Sequence, residues 1–177
     1  MGTRTLRGTL LTALTLLTVA LAVDGCIFGH KAKPPPPPPS EFKPAKTHLN
    51  VAVHGNVNPD DNGRPSPVVL RVYQLKDDAA FKDAEFFALF DKEQATLGPS
   101  LVGRKEFVLA PGDHQNLDYP ILEDTRFVAV AAAFRDIRNA AWRALTVAPK
   151  RAYKDIVREN SVAVTVDKSR ITLAVSD

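Results

Sequence analysis

The chain has 177 residues, 45% of them hydrophobic and 24% charged, with 23 Lys and Arg against 20 Asp and Glu. This composition fits one folded core with appendages and excludes a fibrous or wholly disordered chain. Charge is close to balanced and no basic cluster is denser than Pro149-Lys150-Arg151, so a pI of 9.1 gives little support to a nucleic-acid partner.

The first predicted element is a leader, residues 1–25. Arg4 and Arg7 form a basic start, and no charge interrupts the apolar run from Gly8 to Val23, the pattern of a secretory signal peptide. The run falls short of the roughly 20 residues that a permanent membrane helix needs. It ends in Val23-Asp24-Gly25-Cys26, which resembles the lipobox of bacterial lipoproteins, with Asp24 departing from the small uncharged residue usual there. Ala20-Leu21-Ala22 is also an acceptable cleavage site and would release a soluble periplasmic protein. The sole cysteine weighs for acylation at Cys26, since an unpaired thiol in an exported protein otherwise needs its own explanation. With one cysteine no intramolecular disulfide can form, so the folded part is held by its core.

Residues 26–46 read as the lipidated N-terminus and a tether dominated by Pro34 through Pro39. Consecutive prolines favour a polyproline II rod of about 3.1 Å per residue. The alternative, a docking peptide for a proline-binding module, fits an exported chain less well because such modules are largely intracellular.

Residues 47–177 carry the folded domain. Leu49, Val51 and Val53 alternate with His48, Asn50 and His54, and Val68, Leu70 and Val72 alternate with Arg71 and Tyr73, the period of two that marks strands. Residues 78–94 break this rule, with Phe81, Phe86, Leu89 and Phe90 at helical spacings. They predict one amphipathic helix or two short ones, capped by Asp77 or Asp78, stopped by Gly98-Pro99 and packed over the open side of a sheet. Residues 101–109 form a third strand ending at Pro111-Gly112-Asp113, and 114–120 a short edge strand. Residues 126–134 are apolar on both faces, as in a central strand covered on both sides. The small face of Ala129, Ala131 and Ala133 requires something packed closely over it. Residues 142–147 follow, and a final hairpin sets Val162, Val164 and Val166 against Ile171, Leu173 and Val175 across Asp167-Lys168-Ser169-Arg170. About eight strands with a small helical insertion predict an all-β fold, an antiparallel β-sandwich.

Candidate chemistry is sparse. His48 and His54 share a strand face but stand about 20 Å apart at 3.3 Å per residue, too far to share a metal. Asn58-Pro59-Asp60-Asp61-Asn62-Gly63 mimics the first half of a calcium loop, but Val69 stands where a bidentate Glu is needed, so a tight surface turn is the simpler reading. Ser66 lies in Pro65-Ser66-Pro67 rather than in a nucleophile elbow, and no phosphate-binding glycine loop occurs. We expect no catalytic residue, metal, cofactor or small-molecule substrate. A carbohydrate-binding lipoprotein is the rival reading; it would need a stacking platform from Trp142, Tyr73, Tyr119 and Tyr153.

The stretch Gly63-Arg64-Pro65-Ser66-Pro67-Val68-Val69-Leu70-Arg71-Val72-Tyr73-Gln74-Leu75-Lys76 resembles the signature of the type VI secretion lipoproteins, the TssJ (SciN-like) family. The likeness continues through Phe81, Ala84-Glu85-Phe86-Phe87-Ala88-Leu89, Phe107-Val108-Leu109-Ala110-Pro111-Gly112, Val130-Ala131-Ala132-Ala133-Phe134-Arg135-Asp136 and Trp142-Arg143. It is collinear over nearly the whole domain. The resemblance implies a transthyretin-like sandwich, acylated at Cys26 and sorted to the periplasmic face of the outer membrane. Ile27 agrees with that sorting, because the inner-membrane retention signal usually places Asp there. It also implies a non-enzymatic tether that binds the periplasmic domain of TssM through the loop between the first two strands, here residues 55–66. Within that loop Asn58, Asp60, Asp61, Asn62 and Arg64 are the expected partner-binding residues, while Pro59, Pro65 and Pro67 lower the ordering cost on association.

Overall fold

A computed structural model of the chain describes residues 46–149 and 159–176. The expected leader, Cys26, the proline tether and Tyr153 lie outside the described residues.

Alternation of apolar and polar side chains becomes eight strands: β1 (Lys46–Val53), β2 (Val68–Leu75), β3 (Leu101–Leu109), β4 (His114–Asp118), β5 (Phe127–Ala133), β6 (Arg143–Val147), β7 (Glu159–Val166) and β8 (Ile171–Ser176). The first opens at Lys46, one residue before the expected boundary. They form two four-stranded sheets, ordered β4-β1-β7-β8 and β3-β2-β5-β6. Every pairing is antiparallel except β1 with β7, which run parallel in the register Lys46 with Glu159 through Val53 with Val166. A hairpin forces antiparallel neighbours, whereas strands this far apart in sequence return by a long path that leaves either direction open.

The sheets pack through their expected inner faces. Leu49, Val51 and Val53, then Val68, Leu70 and Val72, then Val128, Val130 and Ala132, then Val162, Val164 and Val166 form one core, each at most 3% exposed. The last hairpin pairs Val162 with Val175, Val164 with Leu173 and Val166 with Ile171, the expected register. β4 is an edge strand, bonded only to β1. Gln74 lies buried on the inner side of β2 and donates to the Pro120 carbonyl at 3.0 Å. Its Oε1 accepts from Leu122 N and Thr125 Oγ1, both at 2.8 Å, tying down residues 120–125.

The outer face of the second sheet carries the helical insertion. Ala129 and Ala131 are fully buried there beneath Phe81, Leu89 and Leu97, in a second core cluster that includes Tyr73 and Leu75. The small side chains bring the insertion close, as their size requires. The expected one or two helices are three short ones, α1 (Ala79–Asp83), α2 (Phe86–Asp91) and α3 (Glu93–Leu97). The breaks fall where Ala84 is extended (φ −64°, ψ 134°) and where Lys92 leaves the helical region (φ −131°, ψ 40°). Tertiary donors make the first break affordable in hydrogen bonds: Arg143 Nη1 donates to the carbonyls of Phe81 at 3.0 Å and Ala84 at 2.7 Å, replacing the next helical turn. Asp77 Oδ1 accepts from Ala79 N at 2.9 Å, while Asp78 pairs with Lys82. Gly98, at φ 50° and followed by Pro99, ends the insertion as expected.

Strand direction sorts the connections. Residues 54–67, 110–113, 134–142 and 167–170 all lie at the end of the sandwich where β1 finishes. Lys46 lies at the opposite end.

Candidate functional site

Fourteen residues separate β1 from β2, far more than a hairpin needs, and such a connection is either a mobile ornament or a built surface. Here it is built. Val57 is fully buried; its N–H donates to the His54 carbonyl at 3.2 Å and its carbonyl accepts from Ser66 N at 3.1 Å. Asn58, only 4% exposed, adopts φ 48°, a left-handed conformation that Asn tolerates better than most residues. Its N–H donates to the Lys168 carbonyl at 2.9 Å, its Nδ2 to the Pro67 carbonyl at 2.7 Å, and its Oδ1 accepts from Arg135 N at 2.8 Å.

Asp60 organises the tip. Its Oδ1 accepts from the N–H groups of Asn62 and Arg64, both at 2.9 Å. Its Oδ2 accepts from Arg64 Nε at 2.8 Å and lies 2.8 Å from Arg64 Nη2, so that two guanidinium nitrogens share one carboxylate oxygen. The Asp60 carboxyl is held below the usual carboxylate range, first by the Arg64 N–H, against a desolvation that pushes the other way. The Arg64 guanidinium, the Asn62 N–H and the field of Arg135 add to the lowering. Gly63 closes the turn at φ 76°, its N–H donating to the Asp60 carbonyl at 2.8 Å.

These bonds decide between the two readings of Asn58 through Gly63. The Asn58 Oδ1 and both Asp60 oxygens that a calcium loop would turn inward are occupied by N–H donors, so this segment is a turn. They also divide the five expected partner-binding residues. Asn58 and Asp60 shape the loop from within, whereas Asp61, Asn62 and Arg64 face solvent, the Arg64 side chain being 76% exposed despite its ion pair.

The sequence reading missed the neighbours that folding brings alongside. Arg135 N and the Lys168 carbonyl, both bonded to Asn58, come from the connections 134–142 and 167–170 and are separated from it by 77 and 110 positions. No local pattern could have announced them. The three histidines of the domain are dispersed: His48 Nδ1 lies 3.3 Å from Asp118, His54 Nδ1 lies 3.9 Å from Asp167, and His114 opens β4. Among the described residues no group of three His, Cys, Asp or Glu side chains is placed to hold a metal ion.

Among the described residues, Tyr73, Tyr119 and Trp142 of the rival carbohydrate reading are not assembled into a platform. Tyr73 is fully buried in the second core cluster and Tyr119 is 2% exposed in the first, with burial pushing the Tyr119 phenol up to about 12. Trp142 is half-buried, edge-on to Phe86 at 5.3 Å and beneath the Arg143 guanidinium at 4.8 Å.

Comparison with known proteins agrees with the fold and with the resemblance. The model of the family described as type VI secretion lipoprotein (VasD, EvfM, TssJ) matches residues 45–169. Among solved structures, the type VI lipoprotein TssJ1 of Pseudomonas aeruginosa is 32% identical, with 76% of this chain and 98% of that one covered and a TM-score of 0.69. Lip of Serratia marcescens, a membrane-bound component of the type VI secretion system, is 27% identical over 75% of this chain and 97% of that one, with a TM-score of 0.67. A chain of a structure described as the TssM C-terminal domain (869–1107) from EAEC is 27% identical over 73% of this chain and 97% of that one, with a TM-score of 0.57. No relative was detected among curated proteins. On this match of sequence and fold, the chain belongs to the type VI secretion lipoprotein family.

Proposed function

We propose that this protein is an outer-membrane lipoprotein, acylated at Cys26, that anchors the trans-envelope complex of a type VI secretion system by binding the periplasmic domain of TssM. It catalyses no reaction. The observation that carries the docking role is the connection 54–67. It is long and polar, yet it is locked by the bonds of Asn58 and Asp60 so that Asp61, Asn62 and Arg64 are offered to solvent in a fixed arrangement. A loop ordered before the encounter loses little conformational entropy on binding. Support for the partner comes from family membership and from the matching chain in a structure described by the TssM C-terminal domain. Support for the anchor comes from the sequence at Cys26, and Ile27 after it favours the outer over the inner membrane. Acyl chains hold a protein on a bilayer because each buried methylene contributes about 0.8 kcal/mol and several chains act together.

The test replaces only the outward residues, leaving the frame of the loop in place. In the full mature chain, Asp61→Ala, Asn62→Ala and Arg64→Ala combined should weaken binding to the TssM periplasmic domain by about tenfold or more, the loss expected when central polar contacts are truncated. Calorimetric titration would read it. Unchanged affinity, with the loop still ordered by amide exchange, would overturn this docking assignment.

A further inference from the structure

The loop end of the sandwich holds five carboxylates and a similar number of cations, but the two signs are not equally free. Asp60 is bound by Asn62 and Arg64. Asp113 Oδ2 accepts from Ala110 N at 2.8 Å. Both Asp136 oxygens accept from Asn139 Nδ2, at 3.0 and 2.8 Å. Asp167 Oδ1 accepts from Lys168 N at 2.7 Å, with His54 at 3.9 Å. Only Asp61 keeps its carboxylate without such a bond among the described residues. On the other side Arg138, Lys168 and Arg170 are all exposed, and among the described residues none of the three enters an ion pair.

These three cations sit on adjoining connections. Ala141 forms a parallel bridge with Arg170; its N–H donates to the Ser169 carbonyl at 2.9 Å and its carbonyl accepts from Ile171 N at 3.0 Å. The connections 134–142 and 167–170 are therefore stitched together. Lys168 in turn is bonded through its carbonyl to Asn58, which makes the cationic strip continuous with the connection 54–67. A frame that bonds most of its own carboxylates and leaves these guanidinium groups exposed presents local cations with unused bidentate donors.

We infer that Arg138, Lys168 and Arg170 form a second docking strip, and that it takes a carboxylate-rich surface of the protein partner. This rests on the proposed partner and extends it: the loop 54–67 supplies one part of the contact, and the strip supplies charge pairing and speeds the encounter. An anionic membrane is the other surface that such cations could meet. The bond from Asn58 N to the Lys168 carbonyl joins the strip to the proposed docking loop, which favours the protein partner.

The decisive experiment measures binding of the full mature chain to the TssM periplasmic domain at low and high salt, for the wild type and for a variant carrying R138E, K168E and R170E. The expected result is an affinity about a hundredfold weaker at low salt, mainly through a slower association rate, with the gap narrowing strongly at about 0.5 M salt where the Debye length falls to a few Å. The conservative pair R138K and R170K should keep most of the affinity, and unchanged thermal melting would show that each variant is folded. If the charge-reversed variant binds like the wild type at both salts while the triple alanine variant of the loop does not, the strip is refuted and the loop reading stands. If the wild type fails to bind this domain at all, the proposed partner falls and the strip falls with it. If charge reversal abolishes only the binding of phosphatidylglycerol vesicles, the strip serves a membrane and the inference is overturned.

Discussion

At the scale of single residues, Asn58 shows how a side chain chosen for its polarity can act inward. A buried amide in the left-handed region, with both its polar atoms bonded across to Pro67 and Arg135, is a structural pin. Asn58→Ala removes two hydrogen bonds, leaves the Arg135 N–H unpaired and keeps a strained φ, so it should destabilise the domain by about 1–3 kcal/mol. Asn58→Gly relieves the strain and should cost less. Chemical denaturation of the two variants checks the order. Equal stabilities of the two would mean that the strain contributes little, and wild-type stability in both that the bonds do. Asp61, three positions on, has no such bonds among the described residues, and its replacement should leave stability within about 0.5 kcal/mol of wild type, as at ordinary surface positions.

At the scale of elements, three short helices of five or six residues could not persist alone in water; what keeps them is the sheet beneath. Besides the apolar contact with Ala129 and Ala131, one side chain clasps them. Arg71, standing on β2, donates from Nε to Glu106 at 2.7 Å and from Nη1 to the Phe90 carbonyl at 2.9 Å, lies 3.6 Å from Glu93, and stacks its guanidinium 4.4 Å over the Phe90 ring. Four geometries met by one planar fork cannot be met by an ammonium. Arg71→Lys should therefore loosen α2 and α3 almost as much as Arg71→Met, read as faster amide exchange across residues 86–97 with the β-sheet core unaffected. The clasp also has an acid limit. Arg71 holds the Glu106 carboxyl below its ordinary value of 4.5, so the stabilisation is fully present above that value and is lost as pH falls through the lower folded-state value. Exchange in the same helices should rise on acidification below about pH 4.5, and in Arg71→Met that rise should be absent.

At the scale of the whole molecule, the proposed anchor at Cys26 and the proposed docking loop are separated in sequence. The sole cysteine lies outside the folded domain in sequence, no disulfide is available, and Lys46 enters at the end opposite the connection 54–67. Cys26→Ser should abolish acylation and move the protein out of the membrane fraction, while melting temperature and affinity for the partner domain stay at wild-type values. Membrane fractionation that survives the substitution would remove the lipid from the account. A melting temperature that falls would mean that the N-terminal segment contributes to the fold.

Much of this could be read from the residues alone, and the physical reason is periodicity. Side chains that alternate every second position, as in Val162, Val164 and Val166 against Ile171, Leu173 and Val175, specify both a strand and the face it buries, and the alanines of β5 announced a closely packed cover. The carriers of identity are likewise local in sequence, in the run from Gly63 to Lys76. Only the tertiary structure decided what depends on distant segments meeting. It set the parallel pairing of β1 with β7, broke the insertion at Ala84 where Arg143 supplies the missing donor, turned Asn58 inward, and gathered Arg138, Lys168 and Arg170 beside the first loop. Those outcomes are fixed by hydrogen bonds and charges between residues tens of positions apart, and no pattern along the chain encodes which of them will become neighbours.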